Sequence, residues 1–235
     1  MSITLRPRLR AVADYVRPGA RLADIGTDHG YLICALALEG RIPGGLACDI
    51  RPGPLSSAQK LMDALGLENR ISARLCDGLD GVAPHEADDI AIAGMGGELI
   101  TALVQRAEWL RSPEKRLILQ PQTRAPELRR ALYRLGFRIE EERGVRDGRF
   151  LYTVLCCRYG GCPAEPETLA CYTGALPEDS HPESRDYLLH LAGQLRKQGD
   201  GLARSSTKCI ESEYYYQLSS QILSLLKEGK SGGQE

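Results

Sequence analysis

Long apolar runs are missing from this 235-residue sequence, and none approaches the roughly 20 residues that a membrane-spanning helix needs. We therefore expect no membrane association. The chain also begins without the apolar core of a signal peptide, so we expect it to remain in the cytoplasm. In that reducing compartment its eight cysteines should be free thiols. The metal-ligand spacings C-x-x-C and H-x-x-x-H do not occur, and no metal is expected.

The charges nearly balance, and a formal net charge of −1 does not by itself indicate a polyanionic partner. Arginines nevertheless concentrate in residues 1–21 and again in residues 124–149. Each segment is either a solvated helix face or a set of phosphate contacts, for which the arginine fork is suited. Both segments on one cofactor-binding core would favour a nucleic-acid substrate. The candidate RNA-binding residues are Arg8, Arg10, Arg129, Arg130, Arg146 and Arg149.

Short apolar segments alternate with helical patterns over the first two thirds of the chain. The predicted strands are residues 22–25, 45–50, 71–76, 89–93, 116–120, 137–143 and 150–158. Alternating strands and helices predict a parallel sheet covered on both faces. The last two strands are joined by a predicted loop at 144–149 without a helix, so the final strand must be antiparallel. This is the α/β, Rossmann-like sheet of class I methyltransferases.

The C-terminal third has a different character. Residues 160–182 are rich in proline, glycine and glutamate, which indicates a connector. Two apolar stripes at helical spacing follow it and predict an antiparallel helical hairpin, with Gly199-Asp200-Gly201 as the best turn, although the first helix could run on to about Ser205. We therefore expect a domain at residues 1–158 and a connector with a hairpin at residues 159–235, of which the tail after Lys227 should be disordered.

A strand–turn–helix at the start of the sheet carries the pattern D-x-G-x-D-x-G, from Asp24 to Gly30. Its glycines let a ligand approach the backbone at a helix N-terminus. A dinucleotide site would have glycine at the position of Asp28, where a carboxylate would repel a pyrophosphate. The same carboxylate favours a cationic ligand such as S-adenosylmethionine (SAM). Taken alone, the pattern is also compatible with an ordinary tight turn.

Polar residues at the other strand ends support the SAM interpretation. Asp49 follows Gly26 at about the spacing of a ribose-binding carboxylate, although it could instead cap the next helix. Asp77 could accept a hydrogen bond from the adenine amino group of SAM, or it could simply form a turn. The three glycines in Gly94–Gly97 indicate a close approach of the backbone to a ligand. The candidate cofactor-binding residues are Asp24, Gly26, Asp28, His29, Gly30, Asp49, Ile50, Asp77, Gly78, Gly94, Met95 and Gly96.

Four stretches of the sequence carry a resemblance to a known family. They read VADYVRPGARLADIGTDHGYL, ACDIRPGPLSSAQ, IAGMGGELI and LILQPQTRAPELRRAL. They resemble the bacterial tRNA (adenine(22)-N1)-methyltransferases, closely over residues 4–158 and in architecture only over the hairpin. The resemblance implies SAM as the cofactor, tRNA as the partner and N1 of an adenine as the methylated atom. It also implies that the N-terminal basic helix, with Arg8, and the hairpin handle tRNA. We expect a monomer.

Methylation at N1 of an adenine agrees with the absence of one motif from the predicted fourth strand. That strand has no [DN]-P-P-[YFW] motif, with which amino-group methylases hold an exocyclic nitrogen. N1 of neutral adenine has a free lone pair, so positioning could supply much of the acceleration. Asp28 is the candidate catalytic residue, because a carboxylate would stabilise the cationic product. The alternatives are a SAM methyltransferase for another RNA or a small molecule, and a regulatory module that binds SAM or a nucleotide without catalysis.

Overall fold

A computed structural model describes residues 2–204 and 209–228. Its strands are β1 (Leu22–Ile25), β2 (Gly45–Asp49), β3 (Ile71–Leu75), β4 (Asp89–Gly96), β5 (Arg116–Thr123), β6 (Phe137–Asp147) and β7 (Phe150–Tyr159). They form a seven-stranded sheet in the order β3-β2-β1-β4-β5-β7-β6. The pairs from β3 to β5 are parallel, and β7 is antiparallel to both of its neighbours. The predicted seven-stranded class I methyltransferase sheet is confirmed.

Helices cover both faces of the sheet, because the central strands are apolar throughout. The helices are α1 (Pro7–Tyr15), α2 (Tyr31–Leu38), α3 (Pro52–Leu65), α4 (Gly97–Arg106), α5 (Ala125–Arg134), α6 (Thr168–Thr173), α7 (Pro182–Ala203) and α8 (Cys209–Glu228). The first three pack on one face of the sheet around Ile33 and Met62. Helices α4 and α5 pack on the other face around Ile100 and Leu128. The six strands other than β7 run in the same direction, so their carboxyl ends meet at one edge of the sheet.

The last two helices form the predicted hairpin, but its turn is not at residues 199–201. Helix α7 continues through Ala203, and the connection to α8 lies outside the described residues. Gly199 is instead a packing position, since a Cβ there would stand 2.8 Å from the ring of Tyr216 on α8. The predicted disordered tail also lies outside the described residues from position 229 onward. Among the described helices, none combines the length and apolarity needed to cross a membrane.

The β6–β7 hairpin is longer than the sequence predicts. The expected loop at residues 144–149 is largely strand, and only Gly148 and Arg149 connect the two arms. Gly148 has φ 61°, the left-handed conformation that favours glycine in such tight turns. Gly144 lies inside β6 because α7 crosses it there. A Cβ on Gly144 would stand 2.5 Å from the carbonyl oxygen of Glu183.

A bulge in β6 changes which side chains face the core. The pairing register with β7 shifts between Ile139 and Glu141. Glu140 and Glu141 consequently both face solvent, and Glu142 turns inward onto the face that packs against α5. The predicted connector also contains structure, because α6 packs on α5 and α8 directly beside this carboxylate. The C-terminal segment is thus attached to the sheet through polar contacts as well as apolar ones.

Candidate active site

The turn between β1 and α2 holds the first group of predicted residues. The amides of Gly26 and Thr27 donate to the carbonyl oxygen of Cys48, at 2.8 and 2.9 Å, and fix the turn against β2. Gly26 has φ 71°, and a Cβ there would stand 2.2 Å from the Cε atom of Met95. Asp28 has φ 53° and an exposed side chain. The turn therefore places a carboxylate beside a backbone with no side chain to block a ligand.

Asp49 connects this turn to the loop after β2. Its side chain is buried, and its carboxylate accepts hydrogen bonds from the amides of Arg51 at 2.8 Å and Asp28 at 3.3 Å. Helix α3 begins at Pro52 with Arg51 at the N-cap, so Asp49 does not cap it. The alternative of a simple capping residue is wrong. The carboxylate is held rigidly at the carboxyl end of β2.

The glycines at the end of β4 are positioned by Gln120, a residue that sequence reasoning missed. Gln120 on β5 is fully buried, and its Oε1 accepts from the Gly94 amide at 3.0 Å and from Nη1 of Arg8 at 2.6 Å. Gly94 itself has φ 81°. The sequence carried a signal for this role, because Gln120 is a polar residue directly after the apolar stretch Leu117-Ile118-Leu119. Through these two hydrogen bonds, Gln120 connects the N-terminal helix α1 to Gly94 at the end of β4.

These elements surround a cavity of about 450 Å³ at the carboxyl ends of β1, β2 and β4, which we call the strand-end cavity. All candidate cofactor-binding residues except Gly30 and Gly96 line it. Gly30 lies outside because it caps α2 and packs on Ala58, and Gly96 caps α4. Residues that the prediction omitted also line the cavity, namely Arg8, Leu9, Ile25, Thr27, Tyr31, Leu32, Cys48, Arg51, Ala93, Leu99, Leu103 and Gln122.

Asp24 is the buried carboxylate in the wall of the strand-end cavity. Burial raises its pKa from the ordinary value of 3.8 to about 6. The hydroxyl of Thr27, which donates to Oδ2 at 2.7 Å, acts in the opposite direction, and the negative charge of Asp49 raises the pKa further. A cationic ligand in the cavity would relieve this unfavourable charge.

The raised pKa makes a prediction about stability. The folded protein keeps the Asp24 proton to a higher pH than the unfolded chain, so this residue destabilises the fold as pH rises from about 4 to about 6. Asp24→Asn should gain on the order of 2 to 3 kcal/mol relative to wild type over this interval, since one pKa unit corresponds to about 1.4 kcal/mol. Urea unfolding of both proteins across the pH range measures the difference.

Asp88 provides the matched control for that measurement. Its hydrogen bond with Arg21 lowers its pKa to about 2, so its contribution is fully present above pH 4 and is lost only in stronger acid. The difference between Asp88→Asn and wild type should therefore be constant from about pH 5 to pH 7. Parallel curves for Asp24→Asn and wild type would contradict the assignment of a raised pKa to Asp24.

A second concave surface adjoins the strand-end cavity, and we call it the arginine groove. It encloses about 760 Å³ between the end of β5, the tip of the β6–β7 hairpin and α7. Its charged and aromatic side chains are Arg124, Arg146, Arg149, Phe150, Tyr152, Tyr187 and His190. Phe150 is half exposed, and the Arg149 guanidinium lies 4.9 Å from its ring centre. Gln122 lines both the groove and the strand-end cavity.

Comparison with known proteins identifies this arrangement. Residues 5–155 match the family model of a methyltransferase domain. The tRNA (adenine(22)-N(1))-methyltransferase of Bacillus subtilis strain 168 is 36% identical over 174 residues, which cover 74% of this chain and 73% of the relative. The chain belongs to the tRNA (adenine(22)-N(1))-methyltransferase family. The resemblance found in the sequence is thereby confirmed.

Solved structures extend the similarity to the C-terminal hairpin. A Streptococcus pneumoniae protein, described as a candidate tRNA (m1A22) methyltransferase, has a TM-score of 0.85 and 29% identity to this family member. The match covers 95% of this chain and 100% of that chain. The same protein in complex with S-adenosyl-L-methionine has a TM-score of 0.78 and 30% identity, with 92% and 98% covered. Because almost the whole chain is covered, the shared architecture continues beyond residue 158.

The prediction that Arg129 binds RNA is wrong for this family member. Arg129 on α5 is fully buried, and its guanidinium contacts the Glu142 carboxylate at 2.6 Å. Burial alone would lower the pKa of the guanidinium, but Glu142 outweighs this and the pKa lies above its ordinary value. The helical pattern placed Arg129 beside the exposed Arg130, and the inward turn of Glu142 at the bulge explains why it is buried instead.

The other candidate arginines are accessible but differ in position. Arg8 lines the strand-end cavity, and Arg146 and Arg149 line the arginine groove. Arg10 pairs at 2.5 Å with Glu39, the C-cap residue of α2, away from both. Arg130 lines a separate cavity of about 530 Å³ between α4, α5, α6 and α8. The accessible arginines therefore lie in three regions of the surface, and only the region of Arg8, Arg146 and Arg149 includes or adjoins the strand-end cavity.

In residues 2–204 and 209–228, no three His, Cys, Asp or Glu side chains are grouped so that they could hold a metal ion. The cysteines with described side chains are free thiols. His29 lies at the cavity with its ring 5.7 Å from that of Tyr31. The sequence has three consecutive tyrosines at residues 214–216, of which Tyr214 is exposed while Tyr215 packs in the hairpin core.

Proposed function

We propose that this chain transfers the methyl group of SAM to N1 of an adenine in tRNA, namely adenine 22. The family assignment supports the reaction, and SAM is the cofactor. The observation that carries the proposal is the junction of an acidic cavity with a basic, aromatic groove. The acidic cavity suits a cationic cofactor, and the basic, aromatic groove suits a single RNA strand whose bases can stack.

The residues of the strand-end cavity fit SAM by their chemistry. The buried charge of Asp24 favours a cation, and the absence of a Cβ on Gly26 lets the Met95 side chain pack against the backbone of the turn. We assign Asp49 to the ribose hydroxyls and Asp77 to the adenine amino group of the cofactor. The turn holding Asp28 then faces the methionine end. Bound SAM supplies an electrophilic methyl group.

The protein contributes mainly positioning and electrostatics. N1 of neutral adenine carries an in-plane lone pair, so no residue has to remove a proton before methyl transfer. Strand β4 ends in Gly94-Met95-Gly96, and we place the edge of the base at this carboxyl end. The base becomes a cation on methylation, and we assign Asp28 to stabilise that charge.

The arginine groove is the proposed path of the RNA strand. Its arginines can contact phosphates, and the exposed ring of Phe150 can stack on a base. Helix α7 forms one wall of it, which gives the proposed second region, residues 159–235, a part in substrate binding beside the SAM-binding region at residues 1–158. One chain supplies both the cavity and the groove, so we propose a monomer that acts on tRNA in the cytoplasm.

Methyl transfer from labelled SAM to a tRNA transcript tests the proposed function. Primer extension on the treated tRNA should stop at adenine 22, because N1-methyladenine cannot form a Watson–Crick pair. A transcript with guanine at that position is the control and should take up no label. Labelling at another nucleotide would favour a different RNA site. Cofactor binding without any labelling would favour a regulatory module.

The ribose assignment predicts a loss of cofactor affinity. Asp49→Ala removes a rigid, buried acceptor, and charge-assisted hydrogen bonds are worth about 1.5–3 kcal/mol, so SAM should bind at least about tenfold more weakly. Calorimetric titration measures this change. Asp63→Ala, on the exposed side of α3, is the matched control and should bind SAM normally. Equal affinities for the two variants would rule out the ribose contact.

A further inference from the structure

Gln122 lies where the strand-end cavity meets the arginine groove. It follows Gln120 by two residues on β5. Gln120 is buried and engaged with Arg8 and Gly94, whereas Gln122 is exposed. A Cβ built on Gly94 would stand 3.7 Å from Nε2 of Gln122. The carboxamide of Gln122 thus lies close to Gly94, at the entrance to the strand-end cavity.

A base that enters from the groove must pass this carboxamide. For N1 to reach the methyl group, the Watson–Crick edge of the adenine has to point into the strand-end cavity. Its neighbouring Hoogsteen edge, with the N6 amino group and N7, then remains open to the groove side. A glutamine carboxamide matches that edge, because it pairs with N6 and N7 through one acceptor and one donor.

We propose that Gln122 recognises the Hoogsteen edge of the target adenine, an inference that rests on the proposed function. Its Oε1 accepts a hydrogen bond from the N6 amino group, and its Nε2 donates one to N7. Guanine presents acceptors at both O6 and N7, so the same carboxamide would place Oε1 against O6. Gln122 is then a residue that selects adenine and orients its ring, and it leaves the N1 lone pair free.

A substrate change and a protein change test this contact together. In one tRNA the target adenosine is replaced by 7-deazaadenosine, which has a C–H in place of N7 and keeps N1 and N6. Single-turnover methylation at saturating SAM is measured for wild type, Gln122→Ala and Gln198→Ala. Gln198 is the matched control, because it is an exposed glutamine on α7 that lines neither the strand-end cavity nor the arginine groove.

Wild type and Gln198→Ala should methylate the 7-deaza tRNA roughly tenfold more slowly than the natural one, as expected for a lost bidentate base contact. Gln122→Ala should be slow on natural tRNA by a similar factor, with less than about a twofold further loss on 7-deaza tRNA.

Two results would overturn the contact while leaving the proposed function intact. One is equal rates of wild type on the two tRNAs, and the other is a full 7-deaza penalty in Gln122→Ala. In both cases wild type still methylates N1 of natural tRNA. If wild type does not methylate natural tRNA at all, the proposed function fails and this inference fails with it.

Discussion

Replacing Glu142 by alanine is expected to lower the free energy of unfolding by about 3 to 5 kcal/mol, because it leaves a fully buried guanidinium without its counter-charge. The Arg129 guanidinium contacts Glu142 through Nε and Nη2, and its Nη1 donates to the carbonyl oxygens of Cys171 and Tyr172 at 2.9 and 3.0 Å. Its desolvation is therefore offset mainly by this one carboxylate. Urea unfolding measures the change.

Two further variants separate the buried charge from other effects of the substitution. Arg130→Met changes the neighbouring, partly exposed arginine and should alter stability by no more than about 0.5 kcal/mol. The double variant Arg129→Met/Glu142→Leu removes both charges and should recover part of the loss. A loss below about 1 kcal/mol for Glu142→Ala would mean that the ion pair contributes little net stability.

Asp28→Asn is expected to slow methyl transfer at saturating SAM by roughly ten- to a thousandfold, as for loss of one preorganised electrostatic partner. The substitution keeps the shape of the side chain and removes its charge. Asparagine tolerates the left-handed conformation at φ 53°, so the turn should be retained. The side chain is more than half exposed and free to face a base at the cavity entrance. Single-turnover rates and calorimetric SAM affinities are both required.

Asp77→Asn is the comparison for Asp28→Asn. It makes the same chemical change at another carboxylate of the strand-end cavity, which we propose to bind the adenine of SAM and whose side chain is also about half exposed. We expect it to weaken SAM binding and to leave turnover at saturating SAM nearly normal. If Asp28→Asn gives that same result, Asp28 pairs with the ammonium group of SAM and does not stabilise the product charge.

Much of the fold could be predicted because its signals are local. Apolar strands such as β1 and β4, with glycine turns after them, fix the sheet direction and bring their carboxyl ends together. Asp24 and Asp49 could therefore be placed at one edge before any contact was known. The antiparallel final pair followed in the same way, since a short connection cannot join two parallel strands.

What sequence reasoning missed depends on contacts between distant segments. Strict alternation from Phe137 would point Glu142 to solvent, and only the pairing of β6 with β7 reveals the bulge. Gly199 was interpreted as a turn, although the space above it is needed by Tyr216. Gln120 and Gln122 differ in role because Arg8, more than a hundred residues earlier in the chain, contacts the first and not the second.

The position of β7 has a consequence for synthesis of the chain. β7 is the last strand to leave the ribosome, yet it lies between β5 and β6. Until Tyr159 has been made, one edge of β5 is unpaired, and the apolar residues Leu117 to Leu119 beside it lack their final cover. At roughly 5–20 residues per second, this state lasts several seconds. Nascent chains stopped between β5 and β7 are therefore the forms of this protein most exposed to edge-to-edge aggregation.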